Sequence, residues 1–254
     1  MKLACWNVNS VRARHDRLLA WLDKMQPDVL CLQELKVVDE AFPYESIEEA
    51  GYTSSVFGQK TYNGVAILSR TPPDDVERGL GDNDEQSRLI AARFGKTNVL
   101  CAYVPNGQEV GSDKWAYKLR WMKRLRKLLD ERYSPDEHLV LCGDFNVARD
   151  DLDVALPDQW EDSVLCHAEA RSHFQAILDW GLVDVFREHH PEGKLYSWWD
   201  YRMLGFPKNH GLRLDYVLAT KSLAKRCTSA MVDRDERKGQ KPSDHAPVVV
   251  EFKK

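Results

Sequence analysis

The sequence has neither a long hydrophobic run nor an excess of positive charge. Nowhere in its 254 residues do apolar side chains approach the ~18 consecutive positions of a membrane span, so no association with a membrane is predicted. The charged residues are 36 lysines and arginines against 40 aspartates and glutamates, a formal net charge of −4. This balance excludes a domain that binds nucleic acid through bulk positive charge, but it leaves room for a local basic surface.

Paired cysteines are also missing. The six cysteines form no C-x-x-C pair, and four of them lie inside short apolar runs. Cysteines in that setting behave as small buried hydrophobic residues in a reducing compartment. Because the chain opens on a strand-like run without an apolar signal region, we expect a cytoplasmic protein with free thiols.

No Ser/Gly-rich linker, internal repeat or low-complexity tract divides the chain, so residues 1–254 are predicted to form one domain. The sequence consists instead of short runs rich in Val, Leu and Ala, which are typical of strands. These runs lie at 2–8, 28–33, 52–57, 63–69, 88–94, 97–104, 138–143, 195–199, 213–219, 228–232 and 246–252. Between them, apolar residues three and four apart predict helices over 11–25, 112–132 and 168–180. One strongly twisted sheet rarely exceeds about ten strands, so the pattern favours an α/β fold of two packed sheets flanked by helices.

Several strand-like runs end in a carboxylate or a carboxamide. These residues are Asn7 and Asn9, Gln33 and Glu34, and Asp144 and Asn146. Asp244 lies in a Ser-Asp-His triplet in the loop just before the last run, and Asp215 lies inside a further run. If the ends converge, the carboxylates share one cleft, where like charges cannot all remain ionised unless a cation neutralises them. Oxygen ligands without paired His or Cys favour Mg²⁺, with Mn²⁺ as a substitute, over Zn²⁺. Phosphoester cleavage is the reaction that fits such a site.

Two further residues are candidates for the chemistry, although each also has an ordinary structural interpretation. His245 directly follows Asp244, and a carboxylate partner would fix its tautomer and favour its charged form. Tyr103 ends a strand just before a Pro-Asn-Gly turn, and its phenol could donate a hydrogen bond to charge that develops on a phosphate. A histidine near a strand start and a tyrosine at a strand end are also common without any function.

Eight segments resemble, in the family's order, the exonuclease III family of abasic-site endonucleases, within the endonuclease/exonuclease/phosphatase superfamily. The segments are CWNVNSVRAR, VLCLQELK, YNGVAILSR, AYVPNG, VLCGDFNVA, YSWWDYR, GLRLDYVLAT and PSDHAPV, and they cover essentially the whole chain. The aromatic YSWWDYR and the GLRLDY segment are similar to those of the DNA-repair branch, and Leu212 is closer to the bacterial type. The resemblance implies a four-layered α/β sandwich of the DNase I-like type.

The resemblance also implies a role for each matching position in the metal site. Glu34 resembles the metal ligand, with Asn9 and Asp244 nearby in the metal shell. Asn7 resembles the asparagine that organises the site. Asn9 is an aspartate in some members of the family, so this chain has one charge fewer in the metal shell.

The catalytic residues follow from the same resemblance. Asp144 resembles the residue that orients or deprotonates the attacking water, and Asn146 beside it resembles a phosphate contact. His245 paired with Asp215 resembles a dyad at the scissile phosphate, and Tyr103 resembles a second phosphate contact.

The resemblance further implies an apolar pocket, and the basic residues indicate where DNA would be bound. Trp198, Leu212 and either Leu214 or Trp199 resemble the pocket that admits an extruded abasic sugar, and side-chain alternation predicts that one of the two tryptophans is structural. Basic residues in segment 113–132 could form either a solvated helix face or a DNA contact. Loops beside the strand ends are better candidates for contacts with DNA, and their residues are Arg12, Lys36, Tyr62, Asn63, Arg88, Arg202 and Lys208.

Together these features predict a monomeric, Mg²⁺-dependent repair nuclease that hydrolyses the phosphodiester 5′ to abasic sites in duplex DNA. Activity on blocked 3′ ends, as a 3′-5′ exonuclease and a 3′-phosphatase, is also expected. Two alternatives remain open from the sequence: a superfamily phosphatase that acts on a small-molecule or lipid phosphoester, and a DNA-binding module without catalytic activity.

Overall fold

A computed structural model of the chain describes residues 1–253. Its strands form two six-stranded sheets of mixed direction. The first sheet contains β1 (Lys2–Asn7), β2 (Val29–Gln33), β3 (Thr53–Phe57), β4 (Val65–Ser69), β11 (Cys227–Val232) and β12 (Val248–Phe252), in the spatial order β11-β12-β1-β2-β4-β3. The second contains β5 (Asp75–Arg78), β6 (Leu89–Phe94), β7 (Thr97–Tyr103), β8 (His138–Asp144), β9 (Leu182–Asp184) and β10 (Asp215–Thr220), in the order β5-β6-β7-β8-β10-β9.

The helices are α1 (His15–Met25), α2 (Tyr44–Glu49), α3 (Asp113–Arg132), α4 (Pro157–Trp160), α5 (Ala168–Leu178), α6 (Val185–His189), α7 (Gly205–Lys208) and α8 (Lys221–Ala224). The longest of them lie on the outer faces of the two sheets, whereas α6 and α8 pack against the layer between the sheets. Helix α1 covers the first sheet through Leu18, Trp21 and Leu22, whereas α3 and α5 cover the second through side chains such as Leu125 and Phe174. The predicted order of helix, sheet, sheet and helix is confirmed. Within residues 1–253, no helix is both long enough and apolar enough to cross a bilayer.

The inner faces of the sheets meet over an apolar layer that contains four cysteines. Strand register pairs Cys5 with Cys31 in the first sheet, and Cys101 with Cys142 in the second. All four are free thiols with no solvent exposure. They fill the layer as small hydrophobic groups, as their apolar sequence context predicts.

The structure corrects several of the predicted elements. The run at 195–199 is not a strand, because Ser197 and Trp198 both donate to the carbonyl oxygen of Leu212 and form only isolated bridges there. Helix α1 begins at His15 rather than at residue 11, because the backbone after β1 continues to pair with the segment after β2. Strands β5 and β9 were not predicted, since β5 is a short, mostly charged edge strand and β9 has three residues.

Candidate active site

The strand register brings the predicted polar strand ends to one edge of the two sheets. Asn7 at the end of β1 pairs with Gln33 at the end of the parallel strand β2. In the second sheet, Asp144 at the end of β8 pairs with Tyr103 on one side and with Asp215 on the other. Convergence therefore follows from two parallel pairs and one antiparallel pair that share an edge.

Asn7 joins the two sheets at this edge. Its buried carboxamide donates through Nδ2 to Glu34 Oε1 at 2.9 Å and to Asp144 Oδ2 at 2.9 Å. Its Oδ1 accepts from the backbone N–H of Asn9 at 3.0 Å. This geometry suits the organising role that the resemblance implies for Asn7.

Glu34, Asp144 and His245 each offer a ligand atom within 4.8 Å of the others. Burial raises the pKa of Glu34, but Lys36 and Asn7 more than offset it and hold the pKa below its usual value. Burial raises the pKa of Asp144 to about 7 despite the opposing charge of His245. A cation bound beside the carboxylates of Glu34 and Asp144 would relieve the cost of burying their two like charges together.

The other predicted metal-shell residues lie beside this trio. Asn9 Nδ2 donates to Asp244 Oδ1 at 2.9 Å, and Asp244 Oδ2 accepts from Trp198 Nε1 at 3.0 Å. Lys36 Nζ lies 2.9 Å from Glu34 Oε2 and 2.5 Å from Asn9 Oδ1, so these two oxygens already converge on a cation. The donor set of carboxylate and carboxamide oxygens therefore fits a hard divalent metal ion.

His245 is held between two carboxylates. Its Nδ1 lies 2.8 Å from Asp215 Oδ2, and its Nε2 lies 3.7 Å from Asp144 Oδ2. Burial lowers the pKa of His245, but Asp215 first and Asp144 second raise it to about 10. The imidazole is therefore a cation at neutral pH, and its Nε2 side faces the reacting edge.

Asn146 is fixed by hydrogen bonds on all sides. Its backbone N–H donates to Asp144 Oδ1 at 2.8 Å, and its Nδ2 donates to Asp144 Oδ2 at 3.1 Å and to the Val104 carbonyl at 3.0 Å. Its Oδ1 accepts from Asn106 Nδ2 at 3.0 Å. The backbone here has a φ of 49°, a left-handed conformation that asparagine tolerates. The preceding Gly143 is required as well, because a Cβ there would overlap the carbonyl oxygen of Ala102.

Lys118 holds Asn146 in place, a role that sequence reasoning missed because it counted this lysine among the basic residues of segment 113–132. Its fully buried ammonium donates to the carbonyl oxygens of Asn146 at 2.7 Å, Val164 at 2.6 Å and Asn106 at 3.1 Å. The available signal was its position on the apolar face of α3, where Trp115 lies three residues before it. A lysine on an apolar helix face must either be paired or carry its charge to the surface.

Replacing Lys118 by Met is expected to lower the free energy of unfolding by about 3 kcal/mol, because buried carbonyl oxygens lose their donor at about 1–3 kcal/mol each. Urea unfolding of Lys118→Met and the wild type measures this difference. Lys123→Met, a substitution on the exposed face of the same helix, is the matched control and should change the free energy by less than about 0.5 kcal/mol. An equal effect of both substitutions would contradict the structural role of Lys118.

Tyr103 faces a groove of about 720 Å³ that Glu34, Lys36 and Arg88 also line. Burial first, and then the charges of Glu34 and Asp144, raise the pKa of Tyr103 well above its usual value. The Arg88 guanidinium lies 4.9 Å from the centre of the Tyr103 ring. The phenol therefore remains protonated at neutral pH and can act as a hydrogen-bond donor.

Three of the four predicted pocket residues, Trp198, Leu212 and Leu214, pack together in one apolar cluster. Trp198 is partly exposed and packs edge-on against Trp160 at 5.8 Å, whereas Leu212 is fully buried behind it. Leu214 is buried beside Leu212 in the same cluster, whereas Trp199 packs in a separate buried cluster with Tyr196 and Ala246, as expected for one of two adjacent tryptophans. Sequence reasoning missed Trp160, whose signal was an aromatic residue in the long segment 149–166.

The predicted DNA contacts fall into two groups. Arg12, Tyr62, Arg202 and Lys208 are exposed, and Arg202 also forms an ion pair with Asp200. The side chains of Lys36, Asn63 and Arg88 are already bonded within the protein. Asn63 lines the groove beside Tyr103, but it is largely buried and its carboxamide donates to Gln59 Oε1 at 2.8 Å inside its own loop.

This fold and edge cluster define a class of metal-dependent hydrolases. Residues 4–245 match the endonuclease/exonuclease/phosphatase family, and the chain belongs to that family.

Exodeoxyribonuclease III of Haemophilus influenzae is 38% identical over 267 residues, with 100% of each chain covered. Among solved structures, an AP endonuclease from Archaeoglobus fulgidus superposes with a TM-score of 0.98 at 40% identity, and 100% of each chain is covered. The 3′ phosphatase NExo from Neisseria, bound to a product DNA hairpin, superposes with a TM-score of 0.96 at 40% identity over 100% of both chains. The chain is thus a hydrolytic nuclease of the DNA-repair type.

Proposed function

We propose that the protein hydrolyses the phosphodiester on the 5′ side of abasic sites in duplex DNA, with Mg²⁺ as its metal ion and Mn²⁺ as a substitute. The observation that carries this proposal is the Asn7-linked cluster of Glu34, Asp144 and His245 at the open edge of the sheets. The names of the relatives, an exodeoxyribonuclease, an AP endonuclease and a 3′ phosphatase, support the same class of reaction.

Glu34, Asn9 and Asp244 would hold the metal ion, which would supply Lewis-acid stabilisation of charge on the phosphate oxygens. Asp144 is positioned to orient a water molecule and to accept its proton, because both of its oxygens are fixed by Asn7 and Asn146.

The charged imidazole of His245 and the phenol of Tyr103 would face the phosphate as hydrogen-bond donors. In-line attack forms a bond from water to phosphorus and breaks the bond from phosphorus to the 3′ oxygen. The products are a 3′-hydroxyl and a 5′-deoxyribose phosphate.

Substrate selection would depend on the aromatic wall of Trp198 and Trp160 beside the cluster. An abasic sugar lacks the stacking and pairing of a normal nucleotide, so its extrusion costs a few kcal/mol less. A small aromatic recess would then reject a nucleotide that still carries its base.

The same cluster would accept 3′-phosphates and 3′-terminal nucleotides, whose phosphate is already accessible. Because one chain supplies every residue of the cluster, the enzyme would act as a monomer, and we propose that it does so in the cytoplasm.

A duplex oligonucleotide with a single tetrahydrofuran abasic analogue tests the proposal. Incubation with enzyme and Mg²⁺ is expected to give one product that ends in a 3′-hydroxyl on the 5′ side of the analogue. The same duplex with an intact base at that position is the control and should not be cut internally. An uncut abasic strand at stoichiometric enzyme would overturn the endonuclease proposal. Release of phosphate from inositol phosphates instead would identify a small-molecule phosphatase, and binding without cleavage would identify a DNA-binding module.

A further inference from the structure

Lys36 occupies the oxygens that would bind the metal ion. Its ammonium contacts Glu34 Oε2 at 2.9 Å and Asn9 Oδ1 at 2.5 Å, and both side chains belong to the proposed metal shell. Lys36 therefore supplies the positive charge in direct contact with the Glu34 carboxylate. Asp244, the other carboxylate of the proposed metal shell, is bonded to Asn9 and Trp198 instead. The ammonium thus lies where a divalent ion would take the same two oxygens.

A divalent ion and this ammonium cannot share the position. Two cations about 3 Å apart repel each other strongly in a partly buried site. Binding of the metal ion would therefore require the ammonium of Lys36 to leave Glu34 and Asn9.

The backbone around Lys36 is fixed, so only its side chain can move. The N–H groups of Leu35 and Lys36 donate to the carbonyl oxygens of Gly64 and Asn63 at 3.1 and 2.9 Å. The side chain lines the same groove of about 720 Å³ as Tyr62, Arg88 and Lys114. An ammonium displaced from Glu34 would enter this groove, which also contains other basic residues. A phosphate group of the DNA backbone would be a favourable partner for it there.

We propose that Lys36 is a resident counter-ion that yields its site to the divalent metal ion and then contacts a DNA phosphate from the groove. Metal binding and DNA binding are then linked through one side chain, since a single ammonium cannot serve both partners at once. The DNA half of this inference rests on the proposed function, whereas the metal half is independent of it.

The metal half is tested by titration of Mn²⁺ into DNA-free protein, followed by electron paramagnetic resonance of the free ion. Lys36→Met removes the competing charge and is expected to bind Mn²⁺ at least about tenfold more tightly than the wild type. Lys96→Met is the matched control, because Lys96 is exposed in the turn before β7, at the opposite end of that strand from Tyr103. Equal or weaker binding by Lys36→Met would overturn the inference, because a competitor must hinder the metal ion.

The proposed contact between Lys36 and a DNA phosphate is tested by measuring how the affinity for DNA depends on salt concentration. The DNA is a closed dumbbell duplex without an abasic site, which the proposed enzyme would not cleave. One lysine–phosphate contact contributes about 0.9 to the slope of log affinity against log salt. With Mn²⁺, the slopes of the wild type and Lys36→Met should differ by about this amount, and with a chelator they should coincide. Lys96→Met should match the wild type in both conditions.

Coincident slopes with Mn²⁺ would show that Lys36 makes no phosphate contact, and a difference under both conditions would show that no switch exists. Either result overturns the DNA half. Failure of every variant to bind the dumbbell would count against the proposed DNA substrate instead, and the Mn²⁺ titration would still decide the metal half.

Discussion

Asp144→Asn is expected to reduce the rate of phosphodiester hydrolysis by about 10⁴-fold. The carboxylate of Asp144 accepts from Asn7 Nδ2, from the Asn146 backbone N–H and from Asn146 Nδ2. An asparagine at this position has one acceptor oxygen, so its amide group would face at least one of these donors. It also cannot take the proton of an attacking water molecule. The substitution therefore removes the general base and disturbs the hydrogen bonds that orient this side chain.

Single-turnover cleavage of the abasic duplex measures this effect, together with the thermal unfolding midpoint of each variant. Asp151→Asn makes the same chemical change at an exposed position and should keep activity within about twofold of the wild type. If Asp144→Asn folds normally and retains activity within tenfold, Asp144 is not the group that activates water.

Asp215→Asn is expected to reduce the rate by about 10²–10⁴-fold, because it removes the partner that fixes the tautomer and charge of His245. It should also change how stability depends on pH. The pKa of His245 is raised to about 10 in the folded protein, against about 6.5 in an unfolded chain. Below pH 6.5 both states hold the proton, and between pH 6.5 and 10 only the folded state does. The free energy of unfolding therefore falls as pH rises through this window.

In Asp215→Asn the pKa of His245 is lower, so the fall in stability should occupy a narrower range of pH. Urea unfolding in chelator at several values between pH 6 and pH 10 measures the slope, and NMR titration of labelled histidine reports the pKa itself. Asp136→Asn, an exposed substitution, serves as the control with an unchanged slope. A histidine that titrates at the same pH in both proteins would show that Asp215 does not set its charge.

The residues at the strand ends of the site could be predicted because the same local sequence pattern marks several of them. An apolar run that delivers a polar residue at its carboxyl end marks a site at a sheet edge, and this pattern placed Asn7, Glu34 and Asp144 correctly at one edge. The layer order followed from the number of runs and the spacing of helical positions.

The remaining features depend on contacts that sequence spacing does not encode. Lys118 is structurally important because its ammonium binds three carbonyl oxygens on separate segments. No local sequence pattern predicts these contacts. Trp198 and Trp199 are adjacent and chemically identical, yet only the tertiary surroundings decide that the first faces the edge and the second the core. Likewise, the Asn63 carboxamide is held within its own loop because Gln59 Oε1 accepts its hydrogen bond.

The cysteine layer between the sheets bears directly on the geometry of the site. Each of its thiols lies two residues before a residue at the edge: Cys5 before Asn7, Cys31 before Gln33, Cys101 before Tyr103 and Cys142 before Asp144. Residues two apart on a strand project from the same face, so the width of a thiol sets the gap between the sheets just behind the reacting groups. The short carboxamide of Asn7 must span that gap to reach Asp144 at 2.9 Å. A bulkier side chain at any of the four positions would push the sheets apart and break the bridge, without touching a single catalytic residue.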